Sequence, residues 1–456
     1  LKLCIIRNII NLINKVLINA LKNKVNSVDN GSVSANSISS FLEVNLPLNA
    51  KNLPFAGVNV KNLNKHSALD LIGLSRVGIS RVEISRELGL TRAGVSAIVN
   101  DLIKSGLVRE TKPLNGSAHG PVGLEINPER GYVLGIDFGA SHYSLILSDF
   151  QAHVLAELHE SIDITLGAQN CLQLVDGRIH SWLSEKGFDA GKISAIGMGV
   201  PGPIVTEAGA VSGPPIMPGW DKFPIRKWME DAWQTQVSLS NDAELGALGE
   251  WAYGVGRGEK NLAYIKVGTG IGVGLLIDGR IYRGATGCAG EIGHITLDIN
   301  GPLCTCGNHG CLEAFAGGRA IAQQATLAIA SGRRTVLAEI KDGQPVTAAD
   351  VLAASRRGDL LSQQIIRDAG YRLGTAIASL VNLFNPSMIV IGGGVSQMGD
   401  LLLEPIRQEV RKRSLKAASQ SLKISSALLG RRSSAMGGVA QAISLSIHRI
   451  AEETRN

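Results

Sequence analysis

The sequence predicts an α/β chain in two parts: a winged helix-turn-helix, followed by a large two-lobed body of duplicated halves. Three observations lead there. Between Ser67 and Ile126, short capped amphipathic stretches run into two short strand-like segments. Beyond Gly131, apolar strands end in glycine turns at corresponding places in two halves. The composition agrees, because 45% hydrophobic and 18% charged residues suit a folded chain, and 54 glycines in 456 residues, without period, suit many backbone-lined turns. A collagenous, disordered or membrane-spanning chain is excluded on those numbers.

Charge separates the first 65 residues from the rest. They carry 8 Lys+Arg against 2 Asp+Glu, whereas residues 66–456 carry 37 of each, so the net +6 belongs wholly to this leader and says nothing for DNA binding. The leader also holds 14 Asn and only 2 Gly. It is expected to be a disordered upstream extension, residues 1–65. Its apolar start, Leu1 to Leu21, is broken by Arg7, Lys15 and four Asn, which rules out a spanning helix, and no membrane partner is expected. Six cysteines in a chain of this length do not make a disulfide scaffold, so a reducing cytoplasm is the expected location.

Residues 66–130 read as the DNA-binding module. Leu69, Leu71, Ile72 and Leu74 mark a first helix ending near Gly78. Ser80 caps a second, Arg81 to Leu88, with Glu83 completing a capping box. After Gly89, Thr91 caps a third, whose buried face is Ala93, Val95, Ile98, Val99, Leu102 and Ile103. In such a pair the second helix enters the major groove. Thr91, Arg92, Ser96 and Asn100, with Gly94 on the same face, are then the DNA-contacting positions, Arg reading guanine and Asn adenine. Leu107 to Thr111 and Val122 to Ile126 form a wing around the loop Pro113 to Pro121. The alternative is a plain three-helix packing unit.

Residues 131–456 form the body. Gly131 to Asp137, the turn Gly139-Ala140-Ser141 and Tyr143 to Asp149 read as strand, turn, strand, with Asp137 placed to hold a magnesium water and the turn amides to reach a phosphate. A structural hairpin explains the same residues. Gly268-Thr269-Gly270 follows a second strand, and Gly392-Gly393-Gly394 a third, which suggests a nucleotide clasped between lobes. Asp242, at a strand end behind Asn241, is placed to take a proton from a substrate hydroxyl, with Asn241 bonding neighbouring hydroxyls; a helix N-cap is the competing explanation. His294, Cys304, Cys306 and Cys311 have the spacing and donor set of a closed structural zinc site. Cys4, Cys171 and Cys288 read as leader or core thiols.

Glu291-Ile292-Gly293-His294 followed by Cys304-Thr305-Cys306-Gly307-Asn308-His309-Gly310-Cys311-Leu312-Glu313 resembles the signature of the ROK family (repressors, open reading frames, kinases). Asp137 to Ser141, Gly199 to Pro203, Asn241-Asp242, Gly268 to Gly272 and Gly392 to Gly394 resemble its other motifs in order. The helix-turn-helix in front is similar to the xylose-repressor and N-acetylglucosamine-repressor branch. The resemblance implies an actin-like, sugar-kinase (ribonuclease H-like) fold. It also implies sugar contacts from Asn241, Asp242, Glu291, His294 and Glu313, with His294 also on zinc and Asp242 in the place of the kinase base. Three departures stand out: Ala140-Ser141 in the first phosphate turn, Ile216 in Pro215-Ile216-Met217-Pro218-Gly219-Trp220, and His119-Gly120-Pro121 in the wing. The resulting expectation is a sugar-responsive repressor with operator DNA and a small sugar inducer as partners, acting as a homodimer or homotetramer. An ATP-dependent hexose kinase, using Mg-ATP, is the alternative, and whether the chain is an enzyme stays open.

Overall fold

The computed structural model describes residues 60–75, 78–114, 120–214, 217–341 and 344–453. Cys4, the wing residues 115–119, and Pro215 and Ile216 lie outside them, as does the leader up to residue 59.

The amino-terminal module is three helices and a hairpin: α1 (Val60–Leu74), α2 (Arg81–Leu88), α3 (Arg92–Lys104), β1 (Val108–Pro113) and β2 (Val122–Ile126). The caps read from sequence are present. Ser80 accepts from Glu83 N while the Glu83 carboxylate accepts from Ser80 N, and Thr91 accepts from Gly94 N. Between α2 and α3 the chain reverses at Gly89, which is left-handed with φ 60°. Two expectations change. Helix α1 starts at Val60, inside the segment assigned to the leader, and Lys65 is buried, with its ammonium donating to Asp101 at 2.7 Å and to Ala451 O at 2.9 Å. Ala93, expected inside, is exposed, while Val95, Val99 and Leu102 are buried and Ile98 and Ile103 pack half-buried against the same cluster.

The body repeats one plan. In the first lobe β3 (Tyr132–Phe138), β4 (His142–Asp149), β5 (Val154–Ser161), α4 (Ala168–Glu185), β6 (Ile193–Val200), the small hairpin β7 (Ile204–Val205) and β8 (Ala210–Val211), α5 (Ile225–Trp233) and β9 (Gln236–Asn241) build a sheet of order β5-β4-β3-β6-β9. Helix α6 (Asp242–Tyr253) leads to the second lobe, where β10 (Leu262–Val267), β11 (Ile271–Ile277) and β12 (Arg280–Ile281) precede the helical insert α7 (Leu312–Ala316), α8 (Gly318–Ala330), α9 (Val336–Lys341), α10 (Ala348–Arg356) and α11 (Leu360–Phe384). Then β13 (Met388–Gly392), α12 (Asp400–Arg413), α13 (Lys416–Ser419) and β14 (Lys423–Ser426) complete a sheet of order β12-β11-β10-β13-β14. Both sheets run hairpin, hairpin, parallel, parallel, as a duplication requires. Each of these parallel pairs needs a crossover, and α4 and α5 supply them in the first lobe, the long insert and α12–α13 in the second. Each lobe buries its own apolar cluster.

The last helix, α14 (Ser433–Glu453), leaves the second lobe and lies back across β3, β6 and α6. Its approach is at backbone distance. A Cβ on Gly197 would fall far inside contact with Gly438 O, one on Gly135 would strike Ala435 O, and one on Gly437 would strike Leu245 O. Further along, Met436, Val439, Ile443, Ile447 and Ile450 share one buried cluster with Leu69, Ile72, Val95 and Val99 of the amino-terminal module. Because Gly197 and Gly438 are both backbone-limited, Gly197→Ala is expected to lower unfolding stability by about 2–3 kcal/mol, measured by denaturant titration, whereas Gly177→Ala on the open face of α4, where a Cβ meets nothing, leaves it unchanged or slightly higher.

Candidate functional site

On α3, Arg92, Gly94 and Asn100 are exposed and Ser96 is half-buried. The fully exposed flank also includes Ala93 and Ala97, two methyl-bearing residues that leave the helix slim enough for a groove and offer contact to a thymine methyl. Asn100 Oδ1 lies 3.4 Å from Arg81 Nη2, and Arg81 pairs with Glu110 at 2.8 Å, so α2, α3 and β1 present a linked polar surface.

Between the lobes lies a cleft of about 310 Å³. Its wall includes Gly139, Gly268, Thr269 and Gly270 from the hairpin turns, and Asn241, Asp242, Glu291, His294 and Glu313. All five residues expected to touch a sugar therefore share one cavity. Ser141 is exposed and Gly392, Gly393 and Gly394 do not line this space. Packing accounts for two of those glycines: a Cβ on Gly392 would enter the Tyr264 ring and one on Gly393 would meet Val267 O. The helix-cap reading of Asn241 holds as well, since its Oδ1 accepts from Ala243 N at 2.8 Å and its Nδ2 donates to Gly202 O at 3.0 Å. That amide fixes Asp242 at the first position of α6.

Glu313 sits on α7 and spans two loops. Its Oε2 accepts from Ile271 N at 2.9 Å and its Oε1 from Thr305 Oγ1 at 3.2 Å, so the second glycine turn and the cysteine loop are held by one carboxylate. Burial raises the Glu291 carboxyl above the usual range, with His294 opposing and Asp242 and Glu313 adding to the rise. His142, at the rim, is pushed down to about 4 by burial and by His159, and is therefore neutral near pH 7.

Next to the cleft, the donor atoms of His294, Cys304, Cys306 and Cys311 all lie within 4.8 Å of one another. Cys304 Sγ is 3.7 Å from His294 Nδ1, and Cys306 Sγ is 3.7 Å from Cys311 Sγ. One nitrogen and three sulfurs at such spacings can hold a metal ion in four-coordination with no open position. Among the remaining thiols Cys171 is buried, as expected, but Cys288 is exposed, because it lies on the loop after β12 and not in a core.

Two charged groups escaped the sequence reading. Lys266, at the end of β10, places its ammonium 3.0 Å from Asp242 Oδ2 and 3.3 Å from Asp137 Oδ1. Arg283 donates to the buried Glu244 at 3.1 Å and to Ser240 Oγ at 3.3 Å. Lys266 stands one residue before a glycine turn, as Asp137 does in the first half, and that repeated position was the available signal.

The ROK family model matches residues 133–444, and a winged helix-turn-helix DNA-binding model matches residues 76–109. The chain belongs to the ROK family. Among ROK relatives it is 34% identical to the xylose repressor of Caldicellulosiruptor bescii over 84% of this chain and 96% of that one. It is 40% identical to a glucokinase of Halalkalibacterium halodurans over 53% of this chain and 74% of that one. A solved ROK family transcriptional regulator, a homolog of the Escherichia coli Mlc protein, superposes with TM-score 0.73 at 28% identity, covering 86% of this chain and 99% of that one.

The Arg283–Glu244 pair gives a pH-dependent expectation. Burial already raises the Glu244 carboxyl, and Arg283 opposes the rise. Arg283→Met leaves the carboxylate unpaired, raises its folded-state pKa further, and is expected to cost about 3 kcal/mol at pH 8. A raised acid binds its proton better in the folded state, so that cost shrinks as pH falls towards 5. Urea melts at the two pH values measure it.

Proposed function

We propose that this ROK protein is a sugar-responsive transcriptional repressor whose winged helix-turn-helix binds operator DNA and whose body senses a sugar. The observation that carries the reading is α14. At one end Ser434 Oγ donates to Asp242 O at 2.8 Å and receives a hydrogen bond from Lys266 at 3.3 Å, beside the cleft. At the other, Ala451 O accepts from Lys65, which also pairs with Asp101 of α3. One helix thus touches the sugar site at one end and is tied at the other, through Lys65, to the helix proposed to read DNA, a connection a free-standing enzyme has no use for.

The cleft favours a neutral sugar over a sugar phosphate. Asp242, Glu244, Glu291 and Glu313 line it, His142 is neutral, and Lys266 is paired with two carboxylates. Carboxylates accept from the hydroxyls of a polyol and repel a phosphate. Since the Caldicellulosiruptor bescii relative is a xylose repressor, xylose is the first ligand to test. In this reading Asn241, Asp242, Glu291, His294 and Glu313 hold the sugar, and His294, Cys304, Cys306 and Cys311 hold a structural zinc that fixes the loop carrying His294 and Glu313. A helix-turn-helix of this kind commonly reads paired half-sites as a dimer, so the reading takes two or more copies of the chain, acting in the cytoplasm. The hexose-kinase alternative draws on the glucokinase likeness and the retained Asp242. A coupled assay with Mg-ATP and a panel of hexoses decides it: turnover at ~1–100 per second that Asp242→Asn abolishes makes the chain an enzyme.

Two measurements test the sensor directly. Arg92→Ala should weaken operator binding by about 1–3 kcal/mol without altering sugar affinity, and Glu291→Gln should weaken sugar binding and keep the operator occupied when sugar is present. For the metal, atomic absorption should find about one zinc per chain, and Cys304→Ser should lower both the zinc content and the melting temperature. A metal-free wild type of undiminished stability would overturn that assignment.

A further inference from the structure

We propose that Lys266 is a resident cation, fixed where a phosphoryl-transfer site of this fold would need a divalent metal, so that the cleft holds a sugar but assembles no metal nucleotide beside it. The inference rests on the sensor reading above and names what separates sensor from kinase.

The duplication locates the residue. Asp137-Phe138-Gly139 closes β3 as Lys266-Val267-Gly268 closes β10. Asp137 pairs with Ser144 on its antiparallel neighbour and Gly199 on its parallel one, and Lys266 pairs with Gly272 and Gly392 in the same way. Equivalent positions in the two halves thus carry opposite charges, and the lobes bring them together. Lys266 Nζ is 3.3 and 3.4 Å from the two Asp137 oxygens, 3.0 Å from Asp242 Oδ2 and 3.3 Å from Ser434 Oγ. An ammonium has three hydrogens, and these partners use all of them.

The residues present therefore do not fit magnesium. That ion demands carboxylate oxygens at ~2.0–2.1 Å in near-octahedral array and keeps several waters. Here the two acids that could supply the oxygens, Asp137 at 3% exposure and Asp242, already converge on a positive charge whose side chain is only 15% exposed. A second cation at the same carboxylates would meet that charge at close range in a poorly screened place. Burial alone would pull the Lys266 ammonium below its ordinary range, yet Asp137 and Asp242 outweigh it and hold the group protonated. The lysine also occupies one oxygen of Asp242, the atom pair a kinase would use to take the sugar's proton. Hydrogen bonding to sugar hydroxyls survives this arrangement through the other oxygen, whereas a metal nucleotide to receive the deprotonated hydroxyl has no place beside it.

The test uses the full chain with its cysteine cluster loaded, and Mn²⁺ as the probe, followed by electron paramagnetic resonance. Wild type and Asp137→Asn are expected to bind Mn²⁺ alike, with no site that depends on Asp137. Lys266→Met is expected to gain one Mn²⁺ per chain, and adding Asp137→Asn to it should remove that ion. An Asp137-dependent Mn²⁺ site in the wild type would overturn the proposal, as would a folded Lys266→Met variant that binds none. Should Lys266→Met fail to fold, the wild type and Asp137→Asn comparison still decides. Sugar titration of the wild type runs separately: absence of any sugar binding refutes the sensor reading and leaves the result on Lys266 standing.

Discussion

Contact at backbone distance between α14 and the elements beneath it is the constraint on which the rest of the molecule depends. Helices and sheets usually meet through side chains, about 10 Å apart. Here Gly135, Gly197, Gly249, Gly437 and Gly438 remove the side chains from both surfaces, and carbonyl groups of one element occupy the space a Cβ would need on the other. The buried Glu250 carboxylate then ties the start of α14 to α6, accepting from Leu428 N, Leu429 N, Val255 N and Ser433 Oγ. A buried carboxylate is tolerable only when its lone pairs are filled, and four donors fill these. The helix is therefore fixed to the first-lobe sheet and to α6 at once, with little freedom to tilt.

That placement decides the electrostatics of the cleft. The amino-terminal turn of α14 brings Ser434 against Asp242 and Lys266, so the ammonium meets a hydroxyl as well as two carboxylates. Asn241 caps α6 and so holds Asp242 at its start, while Glu313 joins the second glycine turn to the cysteine loop. The donor cluster at His294, Cys304, Cys306 and Cys311 shapes the same wall from outside. Asp242, Glu244 and Glu313 are thus each oriented by a structural bond, and the site's acidity is offset by one internal cation and one peripheral arginine.

What the sequence revealed follows from what is local. The caps at Ser80 and Thr91, the chain reversal at Gly89 and the Cys304–Cys311 cluster depend on residues within a few positions of one another, and each appears where expected. The repeat of strand and glycine turn announced the duplication, because both copies kept their punctuation. The start of α1 at Val60 was missed, since the Asn-rich composition of residues 1–65 outweighed a few helical residues. Ala93 was placed inside on hydropathy alone, although alanine is small enough to face either way. What Lys266 and α14 pair with was invisible for a deeper reason. Their partners stand 129 residues away at Asp137 and 386 residues away at Lys65, and no pattern within one segment encodes such pairings. Ile216 and the wing tip, both singled out as departures, fall outside the described residues.

The route from sugar to DNA follows from which contacts are stiff. The amino-terminal module is bound to the first lobe and α14, through Lys65 to Ala451 O and through Gln151 Nε2 to Ile126 O at 2.7 Å, so it travels with them. Movement of the second lobe against this unit would have to bend the close packing of α6 on β10 and β11 and break the contacts of the Lys266 ammonium with Asp137 and Ser434. A sugar changes DNA binding only if it binds one lobe arrangement better than the other, and moving a population from 1:99 to 99:1 takes about 5.5 kcal/mol of difference. Hydrogen bonds to charged groups contribute ~1.5–3 kcal/mol each. Two to four such bonds made in one arrangement and broken in the other therefore suffice. In the proposed reading the sugar-binding acids lie on both sides of the cleft: Asp242 follows the first-lobe strand β9 and is bonded by α14, whereas Glu291 and Glu313 belong to the second lobe, so a sugar held by both sets would be bound fully in only one arrangement.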